Sequence, residues 1–244
     1  MDGCGKDARP AEPRPEPGDH TPLGDAGTSG RGVPGATTAP VRGTMQRSMI
    51  DDDPPPPAPP QTLARALADY RCRWPGEGGV ADAFQALARQ ASEGADPYTR
   101  ARLAGHFTGS AWVVDASGMR TLLTHHRKLD RWLQPGGHAD GERDLRAVAL
   151  KEAEEETGLR GLVVEGELFD LDRHWIPARR DVPGHWHFDA RYVVRATGGE
   201  DFVVSDESHA LVWRDIAEVA HDPSMDPSLR RMARKWLALT SASL

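Results

Sequence analysis

The chain has only two cysteines in 244 residues, Cys4 and Cys72. That is too few for a disulfide framework, and they lack the spacing of a zinc site, so both are read as reduced and structural. Long apolar runs are missing too. No stretch approaches the ~20 residues that span a bilayer, and the opening MDGCGKDARP has no apolar signal region, so a cytoplasmic protein without a membrane partner is expected. Basic residues are in the minority, 30 Lys and Arg against 37 Asp and Glu, for a formal net charge of -7. Binding to a phosphate backbone needs a concentrated basic surface, so nucleic acid is not expected as a partner. Aromatic residues are absent from the first 60 positions: all 15 lie between Tyr70 and Trp236, whereas residues 1–60 hold 13 of the 20 prolines and 9 of the 25 glycines. Such a segment cannot bury a core, and it is expected to be a disordered arm, with Met45 or Met49 as alternative starts of translation. What remains is enough for one well-buried domain.

Beyond the arm, TLARALADYRCRW and VADAFQALARQAS repeat apolar residues at helical spacing, and Asp96-Pro97 predicts a third short helix. Residues 61–105 are therefore expected to form a helical extension packed on a domain over 106–244. From Ser110 the period becomes that of a strand: SAWVVDA, a turn at Ser117-Gly118 and MRTLLTHH predict a β-hairpin. A helix is expected from about Asp144 to Thr157, stopped by Gly158. LVVEGELFDL, HFDARYVVRA and HALVWRDI are strand candidates. The last helix is capped by Asp226-Pro227, with Leu229, Met232, Ala233, Trp236 and Leu237 inward and a solvated basic face of Arg230, Arg231, Arg234 and Lys235. The fold class that follows is α/β (α+β), a mixed sheet with helices on its faces.

The stretch from Leu133 to Leu159, LQPGGHADGERDLRAVALKEAEEETGL, carries the chemistry. On a helix, Glu152, Glu155 and Glu156 stand at i, i+3 and i+4 and share one sector with Leu145, Val148 and Ala149 of earlier turns. An inward stripe thus turns acidic at the helix C-terminus, where like charges repel and the helix dipole disfavours anions. Clustered oxygens at such a place suit a hard cation, Mg²⁺ or Mn²⁺. Gly136 and Gly137, just before the helix, allow a close approach of the chain, so that backbone amides and metal meet a diphosphate in one pocket.

The stretch resembles the signature of the Nudix hydrolases, G-x5-E-x7-R-E-U-x-E-E-x-G-U with U aliphatic. With Gly137 as first glycine, Glu152, Glu155, Glu156, Gly158 and Leu159 match, while Lys151 stands for the arginine and Arg143 for the first glutamate, Glu142 lying one residue early. SAWVVDASGMRTLLTHH and SDESHALVWRDIAEV are similar to the family's flanking elements. The resemblance implies a Nudix-like α/β/α sandwich and water attack on a phosphorus of a nucleoside diphosphate linked to another moiety. It implies a divalent metal on Glu152, Glu155 and Glu156, and a general base on the helix or on a loop, for which Glu207 and His209 are candidates. A small nucleotide-type molecule is the implied partner. Two other readings are an isopentenyl-diphosphate-isomerase-like enzyme, to whose Cys-Gly-His element Gly136-Gly137-His138 is similar without the cysteine, and a catalytically silent nucleotide-sensing module. Nothing in the sequence specifies the substrate or the oligomeric state.

Histidines add a second constellation. His185, His187 and Asp189 alternate in HWHFDA and point to one face of a strand, His174 faces them from the strand before, and His138 follows the glycines. These residues are candidates for a second metal or for contacts to substrate phosphate. His125 and His126 are read as structural or solvent-facing.

Overall fold

The computed structural model describes residues 62–92, 96–179 and 182–242. The arm expected over residues 1–60, with Cys4, lies outside the described residues. Two helices come first, α1 (Leu63–Arg73) and α2 (Gly78–Arg89), each beginning where the sequence changes to helical apolar spacing. No helix follows Asp96. Its carboxylate accepts the Tyr98 N–H at 3.0 Å, a local bond that competes with helical pairing and leaves a series of turns instead.

The first strand, β1 (Gly105–Val114), starts five residues before the alternation that predicted it and is buried along its whole length. It is followed by β2 (Arg120–His126), β3 (Arg131–Leu133), β4 (Gly136–His138), α3 (Leu145–Thr157), β5 (Leu162–Ile176), β6 (His185–Ala196), β7 (Ser208–Asp215), α4 (Ile216–His221) and α5 (Pro227–Ser241). The described strands form one mixed sheet in the order β3-β2-β1-β6-β5, with β4 beside β1 and β7 beside β2. β1 runs parallel to β6, and the other pairs are antiparallel. The expected β1–β2 hairpin closes only at Val114↔Thr121, after which β2 pairs along β7 and the first half of β1 pairs with β4. The sheet therefore splits beside β1, and the glycine segment fills the split as a strand rather than a loop.

Layers form on both faces, which is the α/β/α sandwich expected from the sequence. One face of β1 packs Phe107, Ala111 and Val113 with Phe84 of α2 and with Leu145, Val148 and Ala149 of α3. The Phe84 ring lies 5.8 Å from Phe107 and 5.4 Å from Phe188, so the N-terminal helices share the core of the sheet, where loss of such a ring costs about 3–5 kcal/mol. Gly109 lets α3 lie directly on β1, since a Cβ there would stand 2.8 Å from the Leu145 carbonyl and 2.9 Å from Val148. The other face packs Trp112, Val114 and Val193 against α4 and α5.

Two expectations fail here. Cys72 is exposed, so it has no packing role, although it is unpaired as expected. The basic face of α5 is not all solvated: Lys235 is 5% exposed and donates to Asp170 at 2.7 Å, to Glu77 at 2.8 Å and to the Tyr70 hydroxyl at 2.8 Å. Arg231 grips Asp170 and Asp172 at 2.7 and 3.0 Å. A fully buried aspartate on β5 draws both cations inward, because a buried carboxylate must be paired. No helix among the described residues is long and apolar enough to cross a membrane.

Candidate active site

α3 is defined at both ends by its own sequence. The Asp144 carboxylate caps the N-terminus by accepting from Arg146 N at 3.0 Å and Ala147 N at 3.4 Å, and Gly158, at φ 67°, ends the helix in the left-handed region that glycine favours. That fixes the rotation of the helix against β1 and sends its last turn toward β4. Glu156 is 9% exposed there, and its Oε1 accepts the Gly136 N–H at 3.0 Å. Gly137 faces Glu152 so closely that a Cβ on it would lie 2.5 Å from the carboxylate. A Cβ on Gly136 would lie 2.1 Å from Ser110 Oγ. Neither glycine has a positive φ, so each is required for close approach rather than for conformation. The Gly136 amide is spent on Glu156, which corrects the expectation that it meets a diphosphate.

The three glutamates share a sector but not a depth. Glu152 has its side chain 17% exposed, whereas Glu155 is 59% exposed and paired with Lys151 at 3.2 Å. Lys151 also lies 3.7 Å from Glu152, so it links the two carboxylates from outside. Burial pushes the Glu156 carboxyl up to about 7, the charges of Glu152 and Glu207 push the same way, and only the Gly136 N–H opposes them. Burial also raises Glu152 above the usual carboxylate range, with Glu155 and Glu207 adding to it against Lys151. A cluster of oxygen donors short of positive charge fits a hard divalent cation, which would supply the missing charge. Glu207, exposed in the loop before β7, thus acts on both carboxylates through its field. His209 is exposed, and its ring sits 5.5 Å from that of His125. Glu142 accepts the Asp144 N–H at 2.8 Å, and Arg143 pairs with Asp96 at 2.7 Å and lies over the Tyr98 ring. Both residues therefore brace the loop before the helix.

The histidines gather as the alternation predicts, with one addition and one loss. His174 pairs with His187 across β5 and β6, and their rings are 5.5 Å apart. His138 lies 5.0 Å from His187, and burial, followed by the charge of Arg100, lowers it to about 4. The addition is His106, whose pairing with His187 across β1 and β6 follows from the early start of β1. Its sequence signal was the alternation His106, Thr108, Ser110, obscured because the next residues of that face are apolar. The loss is Asp189. It shares the face, but its carboxylate already accepts from Ser110 at 2.7 Å, Thr108 at 2.9 Å, Arg191 at 2.7 Å and Gln134 at 3.4 Å. No lone pair is left over for a metal or a phosphate contact, so its candidacy is corrected to a strand-tying role.

The family model for the NUDIX domain matches residues 106–236, a little over half of the chain. The chain belongs to the Nudix family, and it is an enzyme of the Nudix pyrophosphohydrolase type. Among solved structures, it is similar to a MutT protein from Methanosarcina mazei Go1 at 15% identity, with a TM-score of 0.45 and coverage of 57% of this chain and 97% of that one. It is similar to a C. elegans Ap4A hydrolase in a binary complex at 15% identity, TM-score 0.44, over 56% and 98% of the two chains. A MutT NUDIX hydrolase from Burkholderia pseudomallei is 23% identical, with a TM-score of 0.42 over 54% and 97%. No curated protein matches the chain.

Proposed function

We propose that this enzyme hydrolyses the diphosphate linkage of a nucleoside diphosphate joined to another moiety, with Mg²⁺ or Mn²⁺ held by Glu152, Glu155 and Glu156. The observation that carries the reading is the buried Glu156 carboxylate, held by the Gly136 N–H and raised to about 7 by burial and by the neighbouring charges of Glu152 and Glu207. A helix that only needed a solvated acidic face would not bury this carboxylate.

Within this reading each residue has a definite task. The Gly136 amide orients Glu156, and the bare Cα of Gly137 admits Glu152 against β4. Lys151 links Glu152 to Glu155. A divalent ion at these carboxylates offsets charge on the phosphate oxygens and lowers the pKa of the attacking water. Glu207 is our loop candidate for accepting the proton of that water, a role supported by the reach of its charge to Glu152 and Glu156. His209, beside His125, is the weaker candidate for that base. His138, neutral near pH 7, can donate one hydrogen bond to a phosphate oxygen. We place the catalytic domain over 106–244, with 61–105 as a helical extension and a small nucleotide-type molecule as substrate. The test is metal-dependent release of phosphorylated products from nucleotide sugars, dinucleoside polyphosphates, ADP-ribose and oxidised nucleotides. Hydrolysis of at least one class with Mg²⁺ or Mn²⁺ is expected, and no turnover of any with either ion would overturn the reading.

A further inference from the structure

The sheet face turned away from α3 carries a second set of metal-ligating groups, independent of the glutamates. His106 on β1 pairs with His187 on β6, and His185 stands two residues earlier on the same face as His187. One ligand nitrogen from each of these three side chains lies within 4.8 Å of the others. The Nε2 atoms of His185 and His187 face each other at 3.2 Å. Two nitrogens on a tetrahedral Zn²⁺, each about 2.0–2.1 Å from it, stand about 3.4 Å apart, so this pair is already spaced as ligands of one ion.

The protons of these rings are fixed from behind. His106 Nδ1 lies 3.2 Å from the Arg102 carbonyl and His185 Nδ1 lies 2.8 Å from the Pro183 carbonyl. A carbonyl oxygen can only accept, so each ring donates from Nδ1 and keeps its Nε2 lone pair for another partner, as metal-bound histidines do. His187 Nε2–H can satisfy one such lone pair, that of His185. It leaves the other. His106 is 2% exposed, and its Nε2 has no hydrogen-bond partner, an uncompensated cost for a buried polar atom unless something binds there.

The donor set selects the ion. Asp189, two residues along from His187 on this face, is occupied by Thr108, Ser110, Gln134 and Arg191, and Asp140, whose charge reaches His106 and His138, is paired with Arg100, so the ligands are nitrogen alone. Imidazole suits late first-row metals, whereas Mg²⁺ prefers oxygen. We infer that His106, His185 and His187 form a three-histidine site for one late first-row divalent cation such as Zn²⁺, separate from the carboxylates of α3. Three protein ligands leave a fourth position open, and the His138 ring, 5.0 Å from both His106 and His187, borders it.

The test uses the full chain, stripped of metal and supplied with excess Mg²⁺ to occupy the carboxylates. Titration with Zn²⁺ by calorimetry is expected to show one tight equivalent. His185→Gln and His187→Gln should each weaken it at least ~10-fold, while Glu155→Gln leaves it unchanged. X-ray absorption at the zinc edge of the unmutated protein reads the ligands directly and does not depend on any variant folding. Scattering from three imidazoles is expected there. Absence of a tight equivalent, its loss in Glu155→Gln, or a spectrum of oxygen ligands would overturn the site.

Discussion

Glu156 and Asp170 are both buried carboxylates, yet the protein treats them in opposite ways. Asp170 is fully enclosed and receives Arg231, Lys235 and Arg191 at 2.7, 2.7 and 3.2 Å. Burial alone would raise it, but the hydrogen bond from Arg231 and the three positive charges outweigh that and hold it below the usual range. Glu156 has one backbone N–H and two neighbouring anions, and it is raised to about 7. The first acid is paired within the folded chain, and on the proposed reading the second is completed by a divalent cation. On that reading the contrast separates a carboxylate that holds the fold together from one that would hold a metal, although both are buried.

The largest effect should come from breaking the paired one. Asp170→Ala leaves Lys235 and Arg191 buried with too little negative charge, and a loss of about 3–5 kcal/mol of stability is expected. Thermal and urea unfolding measure it. A loss below about 1 kcal/mol would mean that α5 is docked by its apolar face alone.

Glu156→Gln probes the other side. Gln keeps an oxygen for the Gly136 N–H but removes a charge that the metal-free fold tolerates poorly. Turnover should fall by ~10²-fold or more, while metal-free stability holds or rises. The pH dependence has a definite sign. A carboxyl raised from 4.5 to about 7 favours the folded state while protonated, and that contribution is lost as pH rises through 7. The variant should therefore gain most in melting temperature at pH 8 and nothing near pH 4.5. Equal melting temperatures at pH 8 would show that Glu156 meets no such penalty.

Acid should act on the Asp170 network in the reverse direction. Asp170 and Asp172 are both held below the usual range, Asp172 by its His174 hydrogen bond, Arg191 and Arg231 against its burial. Depressed carboxylates stabilise the fold fully above the unfolded value, near pH 4, and lose that contribution as pH falls below it. Melting temperature should drop between pH 5 and pH 3 in the native chain and drop less in Asp170→Asn.

The difference between these acids was legible only in part. Asp144, Gly158 and the glutamate spacing announced α3 and its rotation, because caps and period are local properties. Depth is not local: a helical projection puts Glu155 and Glu156 in one sector, and only β4, packed against the last turn, decides which of them is buried. The burial of Lys235 was hidden for the same reason, since its partner Asp170 lies 65 residues away. His106 was missed because its alternation with Thr108 and Ser110 gives way to the apolar Trp112 and Val114 on the same face of a strand buried along its whole length. Asp189 was over-read because alternation gives its face but not the Thr108, Ser110 and Arg191 contacts that use it up.

The smallest effect belongs to Lys151, which stands where the family signature has arginine. Its side chain is 64% exposed, and it reaches Glu155 at 3.2 Å and Glu152 at 3.7 Å. An exposed pair of this kind contributes about 0.3–0.5 kcal/mol at i, i+4 spacing and is screened by salt. Lys151→Met should therefore change metal-free melting temperature by no more than a degree or two, about the shift that such an energy gives a domain of this size. The charge also competes with a bound cation for the same two carboxylates, so its removal should leave Mn²⁺ affinity level or slightly higher. Lys151→Arg brings back a planar fork able to bind both carboxylates at once, and it should tighten the bracing of Glu152 without altering stability beyond that range. A loss of several degrees in Lys151→Met, measured at low and high salt, would move this lysine from the exposed rim into the group that Lys235 represents.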